Sequence, residues 1–110
     1  MKNIVEIFQN RGVVFKELKR LDLKKFGIKK RYEIFEGVDI KNRYYLIFVV
    51  DRKSRFVSKN VDDLLQIYQK ISSIKDYNYK FLYTLFLTNF CSKAKDLLIK
   101  KGFKIVDASL

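Results

Sequence analysis

The chain has 110 residues and a formal net charge of +12, from 24 Lys and Arg against 12 Asp and Glu. It contains no histidine, which excludes imidazole-based triads and most zinc hydrolases, and its lone Cys91 can build neither an intramolecular disulfide nor a cysteine zinc site. A 48% hydrophobic content with 10 Phe and 7 Tyr fits one folded domain over residues 1–110, and no apolar run approaches the ~18 residues that span a bilayer.

Residues 3–11, NIVEIFQNR, place Ile4, Ile7, Phe8 and Arg11 at helical spacing, with Asn3 as N-cap and Gly12 as the stop. Val13, Val14 and Phe15 suit a strand, while Leu18 and Leu21 would equally continue a helix. The cation-rich KRLDLKKFGIKKR, 19–31, reads as an exposed helical turn or loop. RYEIFEGVDI (31–40) and RYYLIFVVD (43–51) form a β-hairpin about Lys41-Asn42. VDDLLQIYQKISSI (61–74) is an amphipathic helix with Asn60 as N-cap. FLYTLFL (81–87) is a central strand covered on both faces, and FCSKAKDLLIKKG (90–102) is a second amphipathic helix ending at Gly102. FKIVD (103–107) closes as a strand parallel to the previous one through a right-handed crossover. The order α-β-β-β-α-β-α-β predicts an α/β, three-layer-like sandwich around a mixed β-sheet.

The charge is uneven. Residues 1–60 hold 16 cations against 7 acids, and all six arginines lie there. Such concentration favours polyanions through attraction and counterion release. Nucleic acid, DNA first, is therefore the expected partner. A membrane surface is not, because no strongly basic amphipathic helix is evident. Glu6 and a short apolar stretch argue against a signal peptide at the N-terminus, so the expected location is the cytoplasm.

The third strand ends as Phe48-Val49-Val50-Asp51-Arg52-Lys53-Ser54-Arg55, an acid and a lysine two positions on. Acid-x-Lys occurs four times, but only Asp51-Arg52-Lys53 terminates a long apolar strand. With a helix and three strands, then a helix and a strand, the pattern resembles the PD-(D/E)XK nuclease superfamily, which is restriction-endonuclease-like. It is most similar to archaeal-type Holliday-junction resolvases. The similarity covers residues 3–88 by pattern and 39–55 by motif. No proline precedes Asp39, and the strand-end acid is Asp rather than the commoner Glu.

That resemblance implies a DNA endonuclease using Mg²⁺, a hard ion held by oxygen ligands that activates water and neutralises phosphate charge. It implies Asp51 as metal ligand and Lys53 as catalytic cation, with Asp39 as a second carboxylate and Glu6 as a third acid. Arg52, Arg55 and Lys59, with Lys29, Lys30 and Arg31 from the basic segment, would meet phosphates.

The second carboxylate depends on the turn. A two-residue turn at Lys41-Asn42 leaves Asp39 about 23 Å from Asp51 and turns Glu33 to the opposite face. A three-residue loop at Ile40–Asn42 pairs Glu33 with Val49, diagonal to Asp51 and on its face. Glu33 and Asp39 therefore both stand as candidate ligands and catalytic acids. A solvated strand end is the plain alternative for Asp51 and Lys53. At the level of function, the alternatives are a non-catalytic basic nucleic-acid-binding module with an eroded site and a protein–protein adaptor. A two-fold homodimer would suit a symmetric DNA target.

Overall fold

The computed structural model describes residues 4–30, 32–75 and 79–109. A five-stranded mixed sheet in the order β1-β2-β3-β4-β5 is built from β1 (Phe15–Arg20), β2 (Glu33–Asp39), β3 (Tyr44–Val50), β4 (Phe81–Phe86) and β5 (Phe103–Asp107). Short connections make β1, β2 and β3 antiparallel. The helical crossovers through α2 (Ser58–Ile74) and α3 (Ser92–Lys100) make β3, β4 and β5 parallel. The fold is α/β with the element order expected from the sequence.

Alternation along β3 divides the core in two. Leu46, Phe48 and Val50 pack with Val61, Leu64, Ile67 and Ile71 of α2 and with Ala94 and Leu98 of α3. Tyr45, Ile47 and Val49 face the other way, onto Ile4 and Phe8 of α1 (Ile4–Gln9). Both faces of β3 are therefore dry, which is why it reads as an unbroken apolar run. Among the described residues no helix is long and apolar enough to cross a membrane.

Two local expectations change, at β1 and at the start of α2, and one is met. The strand expected at Val13 starts at Phe15 and runs to Arg20, into the segment read as loop. Lys19 lies opposite Glu36 in the ladder and bonds to it at 3.3 Å, so an acid on β2 neutralises the cation that pairing brings in. The turn expected within 19–31 is a 3-10 turn, Leu23–Phe26, capped by Asp22 Oδ1 accepting from Lys24 N–H at 3.1 Å. Helix α2 begins at Ser58, three residues early; Asn60 is not the N-cap but reaches back to accept the Val57 N–H at 2.9 Å. Asn3 lies outside the described residues.

The hairpin uses the three-residue loop. Asp39 N–H bonds to Arg43 O, Asn42 N–H bonds to Asp39 O, and Asn42 takes φ 64. That left-handed conformation is one that asparagine tolerates better than most side chains. The resulting register sets Gly37 opposite Tyr45 and Glu33 opposite Val49. Gly37 is required by packing. A Cβ there would sit 2.6 Å from Phe15 Cε1, because the Phe15 ring lies over it and meets Tyr45 edge-on at 5.1 Å.

Candidate active-site cleft

Where β3 ends, the chain leaves the sheet through Asp51–Arg55 before Phe56 returns to the core, fully buried and bridged to Phe90. The cation-rich link between β1 and β2 emerges at the same end. Between them opens a cleft of about 1320 Å³. Glu33, Asp51, Asp22 and Asp63 contribute its carboxylates, and Arg20, Lys24, Lys29, Lys30, Arg52 and Lys53 its cations.

The carboxylates differ in how they are held. Asp51 is exposed and, among the described residues, forms no hydrogen bond or salt bridge. Glu33 is partly exposed and approaches Arg20 Nη2 only at 4.0 Å. Glu33 lies across from Val49, two positions before Asp51, and both line the cleft. Asp22 caps the 3-10 turn. Asp63, on α2, receives Lys30 Nζ at 2.8 Å and the Tyr32 hydroxyl at 3.3 Å, tying one wall of the cleft to the helix. Burial and the neighbouring Asp63 carboxylate raise the Tyr32 pKa above that of an ordinary tyrosine, against a smaller lowering by Arg52.

Lys53 is exposed and without a partner among the described residues. Arg52 donates its backbone N–H to Thr88 Oγ1 at 3.4 Å and its Nε–H to Ser54 Oγ at 3.2 Å, which fixes the strand exit. Lys29 and Lys30 line the cleft; Arg55 and Lys59 follow it in the chain, exposed, without lining it. Arg31 lies outside the described residues.

Two expected ligands are elsewhere. Asp39 is at the hairpin tip, about 26 Å along β3 from Asp51 at ~3.3 Å per residue. It is 2% exposed and fully engaged. Its Oδ1 accepts from the N–H groups of Lys41 and Arg43, both at 2.9 Å, and its Oδ2 accepts from Arg43 Nε at 2.7 Å and from the Tyr45 hydroxyl at 3.0 Å. Burial opposes its ionisation, but these four donors outweigh burial and lower the pKa to about 2. The reason it does not reach the cleft is the turn: Asp39 flanks the loop it closes. Glu6 is exposed on α1 and does not line the cleft.

Sequence reasoning overlooked Asp22 and Asp63 as cleft residues. Asp22 carried a signal, as the only acid in a cationic stretch. Asp63 carried none, because only the docking of α2 brings it there. Among the described residues no group of three or more Asp, Glu or Cys side chains is placed to hold a metal ion. The oxygen-only donors Asp51 and Glu33 still suit a hard divalent ion, which commonly uses one or two carboxylates together with water and substrate phosphate.

No protein-family model and no curated protein matches the sequence. Solved structures do match. EndoMS in its apo form aligns with a TM-score of 0.59 at 19% identity, over 96% of this chain and 44% of that one. A repair endonuclease from Pyrococcus abyssi gives 0.51 at 16% identity, over 96% and 43%. EndoMS in a complex with double-stranded DNA gives 0.50 at 20%, over 94% and 41%. The chain thus shares the fold of these endonucleases and spans less than half their length.

Proposed function

We propose that the chain is a nuclease-like nucleic-acid-binding domain whose cleft hydrolyses phosphodiester bonds in DNA. The observation that carries this reading is the meeting of Asp51, Lys53 and Glu33 in one cleft rimmed by Arg20, Lys24, Lys29, Lys30 and Arg52. The fold shared with repair endonucleases, one of them in a DNA complex, supports it.

In this reading the rim cations draw the phosphate backbone in and Asp51 and Glu33 hold Mg²⁺. Bound Mg²⁺ supplies charge neutralisation at the phosphate and an acidified water. Lys53, two positions beyond Asp51, sets its ammonium beside the reacting phosphate and stabilises the charge that develops there. Asp51 is ready for this role because no protein cation occupies it among the described residues.

One observation favours the non-catalytic alternative. Of the carboxylates lining the cleft, Asp22 caps a turn and Asp63 is ion-paired, and no three-acid group is placed to hold a metal ion among the described residues. Asp51→Asn decides the matter. It is expected to abolish Mg²⁺-dependent cleavage of duplex or branched DNA while binding stays equal or tightens. If the wild-type protein binds DNA but cuts no DNA or RNA with Mg²⁺ or Mn²⁺, the domain is a binding module.

A further inference from the structure

A second group of cations lies at the other end of the strands, on the α1 face of the sheet. Phe81, half-buried at the start of β4, has the Arg43 guanidinium carbon 5.2 Å from its ring centroid and Lys104 Nζ also at 5.2 Å. Tyr83, two residues on and on the same face, lies within the electrostatic reach of Arg43 and of Arg11, which follows α1. Lys16 and Lys41 flank the same hairpin tip, both exposed.

The balance of charge here is one-sided. Arg43 is bonded to Asp39 through Nε, its Nη groups have no hydrogen bond among the described residues, and its side chain remains 40% exposed. Arg11 and Lys104 are exposed and have no carboxylate partner among the described residues. Surface lysines added only for solubility need no aromatic beside them. Here two cations lie over one ring, a combination of basic and π surface of the kind that single-stranded nucleic acids engage.

We propose that Arg43 and Lys104 over Phe81, with Arg11 beside Tyr83, form a second contact surface for the nucleic-acid backbone, at the opposite end of the sheet from the Asp51 cleft. This rests on the nucleic-acid reading above and adds a footprint to it. The two surfaces are about 26 Å apart along β3, from eight residues at ~3.3 Å. A nucleic acid touching both must therefore extend about eight base pairs, at ~3.4 Å each.

The test pairs Arg11→Glu, Lys104→Glu with a cleft variant, Lys29→Glu, Arg52→Glu, and measures binding by fluorescence anisotropy across a salt series. The probes are a DNA duplex of about six base pairs, too short to bridge the surfaces, and one of about twenty. The hairpin-end variant should bind the long duplex at least about tenfold more weakly, with the slope of log K against log salt reduced by about two. Its affinity for the short duplex should hold. Unchanged affinity and slope on the long duplex, or equal loss on both duplexes, overturns the second surface while leaving the cleft reading standing. Wild-type protein that binds neither duplex overturns both. Arg11→Gln, Lys104→Gln, which removes charge without adding acids, should give a smaller loss of the same length dependence. Its absence there, in protein with wild-type circular dichroism, likewise overturns the proposal.

Discussion

Arg43 donates its Nε–H to Asp39 Oδ2 across 2.7 Å, and the same carboxylate takes the backbone N–H of Arg43 on its other oxygen. One aspartate therefore holds both the turn backbone and the side chain that follows it. The Tyr45 hydroxyl adds a further donor, and the Tyr45 pKa is pushed up to about 12, first by burial and then by that bond to Asp39.

Asp39 should behave as a structural acid and not as a metal ligand. Its pKa is about 2 in the folded chain against 3.8 for the free group, so its ionised form is favoured by folding. The contribution, about 2 kcal/mol, is fully present above pH ~4 and disappears as pH falls through ~2. Asp39→Ala should cost about 3 kcal/mol at pH 7 in urea unfolding, since it leaves buried donors unpaired. The acid-side loss of stability between pH ~4 and ~2 should shrink accordingly. Folded Asp39→Ala protein should bind Mg²⁺ as the wild type does; weakened Mg²⁺ binding would return Asp39 to the site.

Gly37→Ala tests the packing on the α1 face. The new Cβ would meet Phe15 Cε1 at 2.6 Å and Cδ1 at 2.8 Å, and the ring is already engaged with Phe8 at 5.3 Å and Tyr45 at 5.1 Å. Displacing it should destabilise the fold by about 1–3 kcal/mol. In a double-mutant cycle, Phe15→Leu should remove much of that penalty, because the smaller side chain frees the space. Additive losses would mean that the clash is relieved elsewhere.

Asp63→Asn addresses the cleft wall. Losing this carboxylate releases Lys30 and removes a negative charge facing the proposed DNA path, so binding should tighten by about two- to fivefold at low salt. The Tyr32 pKa, followed by NMR of its ring, should move down, because one of the groups raising it has gone. Weaker DNA binding, with stability intact, would show that Asp63 places Lys30 rather than restraining it.

How much of this the sequence carried depended on burial. β3 and β4 were legible because Ile47, Phe48, Leu85 and Phe86 are buried within strands covered on both faces, and such strands appear as apolar runs. β1 was obscured because it is an edge strand in which Lys16, Glu17, Lys19 and Arg20 are exposed, so its pattern carries little apolar signal. Asp51 and Lys53 stood out in the sequence because they follow a long apolar strand, and both line the cleft. Glu33 was visible only as one of two candidates, since the answer depended on whether the loop held two residues or three. The positions of Asp22 and Asp63 come from tertiary docking, which local periodicity does not encode.

The backbone at Asn42 therefore sets the phase of the whole ladder. Shortening or lengthening that loop by a single residue would leave every strand's composition intact and yet exchange the two sides of β2. Glu33 would then turn away from Asp51 without any change at the cleft itself. Deletions and insertions at this distant tip are thus expected to be far less tolerated than their exposure suggests, because they rewrite the geometry nine residues away, at Glu33 and Asp51.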